Sequence, residues 1–156
     1  MAGIVTLLTD FGSRDAYVGI MKGVILCVDP TIQTIDLTHE VAPQGVLHGA
    51  LALRSAAPYF PSNTVHLAVV DPGVGTARSP IVVKTAHGTL VGPDNGLLAP
   101  AAEALGLQAI HCIDGARWVD EPRSSTFHGR DIFAPCAAAL ATGTPPEELG
   151  ERVDTL

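Results

Sequence analysis

Short apolar runs alternate along this chain with longer segments in which apolar residues recur at helical spacing. Residues 4–8 form a run rich in β-branched residues that stops at the polar Thr9, which is typical of a buried strand. In residues 16–28, apolar side chains recur every three to four positions before Pro30, which predicts a helix. The same criteria predict strands at 32–37, 64–70, 81–85, 89–91 and 108–113, and helices at 46–57, 97–105 and 130–142. This alternation predicts an α/β fold with a layered, largely parallel central sheet and helices on both faces.

Composition narrows the class of protein. The chain has 156 residues, the length of one ordinary domain, and 47% hydrophobic against 16% charged residues, which favours a packed core over disorder. A formal charge of −7 argues against a nucleic-acid binder, which needs a basic surface. Apolar stretches fall short of the ~18–20 residues that a membrane span requires, and the N-terminus has no basic region typical of a signal peptide. We therefore expect a cytoplasmic protein with no membrane or nucleic-acid partner.

Three polar, glycine-bearing segments follow predicted strands or precede a predicted helix. They are residues 9–15 (TDFGSRD), 71–78 (DPGVGTAR) and 124–131 (SSTFHGRD). Ligands of α/β folds bind at the carboxyl ends of the strands. The three segments are therefore the candidate site.

Two aspartates in the first segment have two interpretations. Asp10 either holds a turn or accepts the hydroxyls of a ribose, as acidic residues after a strand do in nucleotide-binding folds. Asp15 either caps the following helix or contacts the ligand. The chain has no GxGxxG fingerprint after this strand, so a dinucleotide is not indicated.

The second and third segments hold the other candidate groups. The glycines after Asp71 are explained by a tight turn, or by a loop that folds Arg78 back onto Asp71. An arginine beside a carboxylate stays charged and can orient an anion such as hydroxide. His128 precedes the last helix, where backbone N–H groups favour an anion. The other five histidines are interpreted as structural or surface residues.

Other site chemistries find less support. Asp71, His128, Asp131 and the pair His39–Glu40 are possible metal ligands, but no HxxxH or DxD spacing supports a metal site, so none is predicted. A Ser–His–Asp hydrolase would need a GxSxG elbow, which the chain lacks. The three cysteines, Cys27, Cys112 and Cys136, are widely spaced, which excludes a zinc ribbon and a disulfide scaffold. Cys136 is interpreted as a small buried apolar residue and residues 93–96 (PDNG) as a structural turn.

Five stretches, in this order, resemble one family: TDFGSRDAYVGIMKGVI, DLTHEVAP, FPSNTVHLAVVDPGVGTARS, LVGPDNGLL and STFHGRDIFAPCAAAL. It is the S-adenosyl-L-methionine (SAM) hydroxide adenosyltransferases, the adenosine-forming SAM hydrolases, which share a superfamily with the SAM-dependent fluorinase and chlorinase. The resemblance implies hydrolysis of SAM to adenosine and L-methionine by attack of water or hydroxide on the ribose 5′ carbon. SAM would be the substrate, with no cofactor and no metal.

The resemblance also implies roles for individual residues. The catalytic set falls on Asp71, Arg78 and His128, with Arg78 and His128 holding and deprotonating the water while Asp71 orients them. The implied substrate-binding residues are Asp10, Asp15, Val74, Phe127 and Gly129. Gln44 falls where the fluorinase has an aromatic wall.

Members of that family resemble a two-domain protein, an α/β domain followed by a β-barrel domain. SAM binds between the first domain of one subunit and the second domain of its neighbour in a trimer. The resemblance therefore implies a homotrimer, with residues 1–156 as the N-terminal α/β domain and the β-barrel absent from this chain. Two alternatives remain open: a SAM-dependent halogenase that forms a 5′-halo-adenosine, and a truncated domain without catalytic activity. A carboxylate at position 71 argues against the halogenase, because it would repel a halide.

Overall fold

The computed structural model describes residues 2–115 and 126–156, and its elements follow the predicted alternation closely. The strands are β1 (Ile4–Thr9), β2 (Gln33–Thr38), β3 (Val65–Val69), β4 (Pro80–Thr85), β5 (Gly88–Pro93), β6 (Leu107–Cys112) and β7 (Arg152–Val153). The α-helices are α1 (Tyr17–Val28), α2 (Val46–Ala56), α3 (Ala99–Leu105) and α4 (Ala134–Ala141). Short 3₁₀ turns cover Ala57–Tyr59 and Pro146–Glu148. Within the described ranges, no helix is long and apolar enough to cross a membrane.

The seven strands form one sheet in the order β2-β1-β3-β5-β4-β6-β7. The α/β class is confirmed, and β2, β1, β3 and β5 run parallel as predicted. The other half of the sheet is antiparallel, which the prediction of a largely parallel sheet did not include. The reason lies in the connection between β4 and β5: only Ala86 and His87 join them, and a loop that short returns the chain antiparallel.

Helices cover both faces of the sheet, as predicted, because alternate strand residues point to opposite sides. Val5 and Leu7 of β1 pack on one face with Met21 of α1 and with the alanines of α4. Leu8 of β1 packs on the other face with Leu53 of α2 and with α3. The side chains of Val5, Leu7, Leu8, Met21 and Leu53 are fully buried.

The chain leaves β1 and β3 in a way that opens a crevice between their carboxyl ends. From β1 it passes through α1 to β2 on one side, and from β2 it returns through α2 to β3 on the other side of β1. In open α/β sheets, such a reversal of strand order is where ligands bind. The polar segments that begin at Asp10 and Asp71 follow these two neighbouring strands.

The last predicted helix begins differently from the expectation of a single helix over residues 130–142. A π-helical turn, Gly129–Phe133, precedes α4, and the Ala134 N–H bonds to the Gly129 carbonyl, five residues back. Pro135 offers a physical reason, because proline has no N–H and its ring crowds the carbonyl four residues before it in an α-helix. The wider turn relieves that conflict at the point where His128 enters the site.

One buried polar pair lies inside the sheet. Thr6 and His66 are register partners on β1 and β3, and Thr6 Oγ1 lies 2.8 Å from His66 Nδ1. Both residues are fully buried, and the Phe60 ring packs edge-on against the imidazole. Burial lowers the pKa of His66 to about 4, with a smaller contribution from His87.

This pair predicts an acid-sensitive contribution to stability. The pKa of His66 is about 4 in the folded chain and 6.5 in the unfolded chain. The contribution of the neutral His66 to the free energy of unfolding is therefore complete above about pH 6.5 and is lost as the pH falls towards 4. The full loss amounts to about 3 kcal/mol. Urea unfolding at pH 7.5 and 4.5 measures it, with His66→Asn as the variant that keeps a hydrogen-bonding group near Thr6 without a titrating ring. We expect the wild type to lose more stability than the variant between the two pH values, and equal losses would show that His66 is not responsible.

Candidate active site

The loop after β3 folds back on itself and joins Asp71 to Arg78. Arg78 Nε donates to Asp71 Oδ1 at 2.9 Å, and Arg78 Nη2 donates to Asp71 Oδ2. The side chains are only 5% and 8% exposed, so this is a nearly buried ion pair. Gly75 has φ +78°, and a Cβ at Gly73 would come within 3.3 Å of the Arg78 side chain. The tight turn and the folding back of Arg78, two interpretations of one sequence, therefore occur together.

His128 completes a hydrogen-bonded set of three side chains. Arg78 Nη2 lies 2.8 Å from His128 Nδ1, across 50 residues of sequence. A guanidinium only donates hydrogen bonds, so Nδ1 must accept, and the neutral imidazole then carries its proton on Nε2. The ring of Phe133 lies 5.3 Å from the Arg78 guanidinium carbon and supports the cation from a third side.

A cavity of about 410 Å³ lies beside this set, at the crevice between β1 and β3. All five residues that the family resemblance implies for substrate binding line it: Asp10, Asp15, Val74, Phe127 and Gly129. Asp71 and His128 line it as well, whereas Arg78 is not among the described lining residues. Arg78 therefore lies behind the two groups that face the cavity. The division of roles that the resemblance implies, with Arg78 and His128 holding and deprotonating the water and Asp71 orienting them, stays a prediction.

Backbone groups fix the two aspartates of the first segment. Asp10 Oδ2 accepts the Gln44 N–H at 2.7 Å, and Gln44 also lines the cavity, with an unusual φ of +60°. Asp15 Oδ1 accepts the Tyr17 N–H at 2.9 Å. The N-cap of α1 is Ala16, without a side-chain cap hydrogen bond, so the interpretation of Asp15 as the cap was wrong; Asp15 bonds to the Tyr17 N–H from the position before the cap and lines the cavity.

Aromatic side chains form one wall of the cavity, and the sequence reasoning missed two of them. The Tyr17 ring lies 4.7 Å from that of Phe11 and 5.5 Å from that of Phe127, measured between centroids. The Tyr17 hydroxyl accepts the Arg130 N–H at 3.1 Å, and burial raises the Tyr17 pKa. A Cβ at Gly129 would lie 3.0 Å from that hydroxyl, so a glycine fits there best. Phe11 stands within the first polar segment, which was the available signal, but Tyr17 looked like an ordinary helix residue.

The remaining predictions for this region have mixed outcomes. Ser124 and Ser125 of the third segment lie outside the described residues. Within those residues, no three His, Cys, Asp or Glu side chains are grouped to hold a metal ion. The 93–96 turn is structural, since the Asn95 side chain donates to the Val70 carbonyl and accepts the Leu97 N–H. Cys136 is buried, and its burial raises the thiol pKa to about 12.

Comparisons with known proteins match nearly the whole chain to one family. The sequence-family model for the SAM hydroxide adenosyltransferase N-terminal domain matches residues 5–150. Proteins named (R)-S-adenosyl-L-methionine hydrolase from Salinispora tropica and Methanocaldococcus jannaschii are 49% and 48% identical, each over 96% of this chain and 58% of the relative. A fluorinase from Nocardia brasiliensis is 25% identical over the same shares.

A solved structure has the same fold. The structure of an uncharacterized conserved protein from Thermotoga maritima superposes with a TM-score of 0.94 at 44% identity, over 97% of this chain and 59% of that one. The chain thus spans less than two thirds of the length of these relatives. With nearly all of its residues matched, the chain belongs to the SAM hydroxide adenosyltransferase family, in which it corresponds to the N-terminal domain.

Proposed function

We propose that this domain hydrolyses SAM to adenosine and L-methionine. A water oxygen bonds to the ribose 5′ carbon, the bond from that carbon to the sulfonium sulfur breaks, and its electron pair stays on sulfur. The water releases one proton, and methionine leaves as a neutral thioether. The observation that carries the proposal is the joined Asp71, Arg78 and His128 set, two of whose members face one cavity. The reaction needs no cofactor, because the sulfonium already activates the carbon.

The charges of the cavity fit this substrate. Three carboxylates line it, from Asp10, Asp15 and Asp71, and no Lys or Arg does so among the described residues. Such a lining favours a cation, and SAM carries positive charge on its sulfonium and its ammonium group. Asp10 uses Oδ2 to accept from the Gln44 backbone, so its Oδ1 is placed to accept a hydrogen bond from a ribose hydroxyl.

The two groups that face the cavity divide the handling of the water. His128 donates from Nε2 to the water oxygen, because its Nδ1 is occupied by Arg78. Within the described part of the chain, Asp71 has lone pairs left beyond the two hydrogen bonds from Arg78, and it accepts the proton of the water. Arg78 holds both partners at fixed positions without touching the water. On this proposal Arg78 is a positioning residue and Asp71 is the base.

The alternatives find less support. The hydrolase relatives are 46–49% identical and the fluorinases 24–26%, and Asp71 places a carboxylate where a halide would have to bind. The relatives are longer than this chain, and on the family resemblance we propose that a second domain contributes to SAM binding. We further propose a cytoplasmic homotrimer, on the strength of the family resemblance.

The first test of this function is the formation of adenosine from SAM, followed by chromatography. We expect Asp71→Asn, Arg78→Ala and His128→Ala each to lower the rate ~10²-fold or more, the range typical of lost acid–base and electrostatic contributions. Arg54→Ala, at an exposed position of α2, is the matched control and keeps wild-type activity. Formation of 5′-chloro-adenosine in chloride would support the halogenase instead. A folded wild type that neither turns over SAM nor binds adenosine would support the non-catalytic domain.

A second test separates positioning from contact with the substrate. Arg78→Lys keeps the positive charge but loses the two-pronged contact to Asp71 together with the bond to His128. Because Arg78 lies behind the cavity lining, we expect kcat to fall ~10-fold or more while the KM for SAM changes less than about threefold. Steady-state kinetics on the wild type and on Arg78→Lys measure kcat and KM separately. A large rise in KM with unchanged kcat would mean that Arg78 contacts the substrate.

A third test uses salt. Raising the ionic strength from about 0.01 M to about 0.15 M shortens the screening length from ~30 to ~8 Å. We expect the KM for cationic SAM to rise several-fold, because the three carboxylates attract it less. Calorimetry with uncharged adenosine is the control, and its affinity should hardly change. Asp15→Asn should weaken the salt dependence for SAM, and an unchanged dependence would exclude Asp15 from substrate attraction.

A further inference from the structure

A chain of polar side chains runs from the protein surface to the loop that carries Asp10. Lys22 Nζ lies 2.7 Å from Asp36 Oδ2, and Asp36 Oδ1 lies 2.8 Å from His39 Nε2. His39 Nδ1 in turn lies 2.7 Å from Thr9 Oγ1. The Phe11 N–H completes the chain by donating to Thr9 Oγ1 at 3.2 Å. The site roles proposed above use none of Lys22, Asp36 and His39.

The direction of each hydrogen bond follows from the groups involved. A carboxylate only accepts, so His39 must donate from Nε2 to Asp36. In the tautomer that carries its proton on Nε2, the ring accepts at Nδ1, so the Thr9 hydroxyl donates to it and keeps its oxygen lone pair for the Phe11 N–H. Thr9 is fully buried, and the His39 side chain is only 9% exposed, so neither hydroxyl nor ring exchanges this bond freely for water.

His39 holds the loop on both sides of Asp10. Its ring bonds to the hydroxyl of Thr9, the residue before Asp10. The same hydroxyl accepts the N–H of Phe11, the residue after Asp10. Its carbonyl accepts the Gly12 N–H at 2.8 Å, and Gly12 has φ +73°, which a glycine adopts without strain. Among the residues that the structure describes, Asp10 is tied at Oδ2 alone, to the Gln44 N–H, so the direction of Oδ1 depends on the backbone of this loop.

We propose that His39 is a positioning residue for the ribose carboxylate, acting through the Thr9 hydroxyl to aim Asp10 into the cavity. The inference rests on the proposed function, because it assigns Asp10 to the ribose. His39 does not line the cavity, so its effect reaches the ligand only through the loop of residues 9–12. The affected step is recognition of the ribose hydroxyls, and the handling of the water by Asp71 and His128 is separate from it.

The experiment compares two amide substitutions that each keep one half of the imidazole. His39→Asn places an amide oxygen near the position of Nδ1 and preserves the acceptor for Thr9. His39→Gln places an amide nitrogen near Nε2 and preserves only the donor to Asp36. We expect His39→Gln to weaken adenosine binding about tenfold in calorimetry, the effect of one lost hydrogen bond, and His39→Asn to remain within about threefold of the wild type. Thr9→Val should behave as His39→Gln does, and Thr9→Ser as the wild type.

Two further readouts exclude a general loss of stability. The preference for adenosine over 2′-deoxyadenosine should shrink in His39→Gln, which a loss of stability alone does not produce. His87→Asn is the matched control, since that histidine bonds to the Phe60 carbonyl away from the cavity, and it should keep wild-type affinity. Equal affinity and equal preference in His39→Gln and wild type would overturn the proposal, whatever the melting temperatures.

Amide hydrogen exchange separates this inference from the proposed function. Exchange at Phe11 and Gly12 requires no turnover, and we expect it to accelerate in His39→Gln but not in His39→Asn. Unchanged exchange in His39→Gln would overturn the positioning role even in an active enzyme. Wild-type protein that binds no adenosine would overturn the proposed function, and with it the assignment of Asp10 to the ribose.

Discussion

Two opposite charges, Asp71 and Arg78, are held almost entirely out of water, with side chains 5% and 8% exposed. Removing such charges from solvent is costly unless each finds partners of good geometry. The pair meets this condition with two parallel hydrogen bonds, a third to His128 and the ring of Phe133. Each partner comes from a different part of the chain. The loop after β3, His128 just before the π-helical turn and Phe133 at the end of that turn must therefore all be in place for the pair to be satisfied.

The sheet determines where this pair can stand. β1 and β3 are parallel neighbours, so the segments that follow them leave the same edge and place Asp10 and Asp71 on one cavity. The antiparallel half of the sheet contributes differently. β4 begins two residues after Arg78 and is locked between β5 and β6, which anchors the far end of the 71–78 loop. One half of the sheet thus presents the carboxylates, and the other half holds the cation that pairs with one of them.

The sequence predicted the elements to within one or two residues in most cases, because strands and helices are encoded by local periodicity and by punctuation such as Pro30 and Gly143. It also indicated which segments form the site. It missed the antiparallel direction of β4 and the strand β7, because pairing partners are chosen by tertiary packing. The unusual φ of Gln44 and the place of Arg78 behind the cavity were equally out of reach. Both depend on contacts between residues 34 and 50 positions apart, which no local pattern contains.

Because of the π-helical turn, the site depends on the number of residues that separate its side chains as well as on their identity. Each residue of an α-helix advances the chain by about 100° around the axis, so the extra residue in Gly129–Phe133 sets the angle at which everything before it meets α4. Removing one residue there would leave Asp71, Arg78 and His128 in the sequence and yet swing His128 about a quarter of a revolution away from Arg78. A designer who transplants this site onto another scaffold has to transfer a spacing as well as a set of side chains. Alignments that close a one-residue gap in this turn would hide that difference.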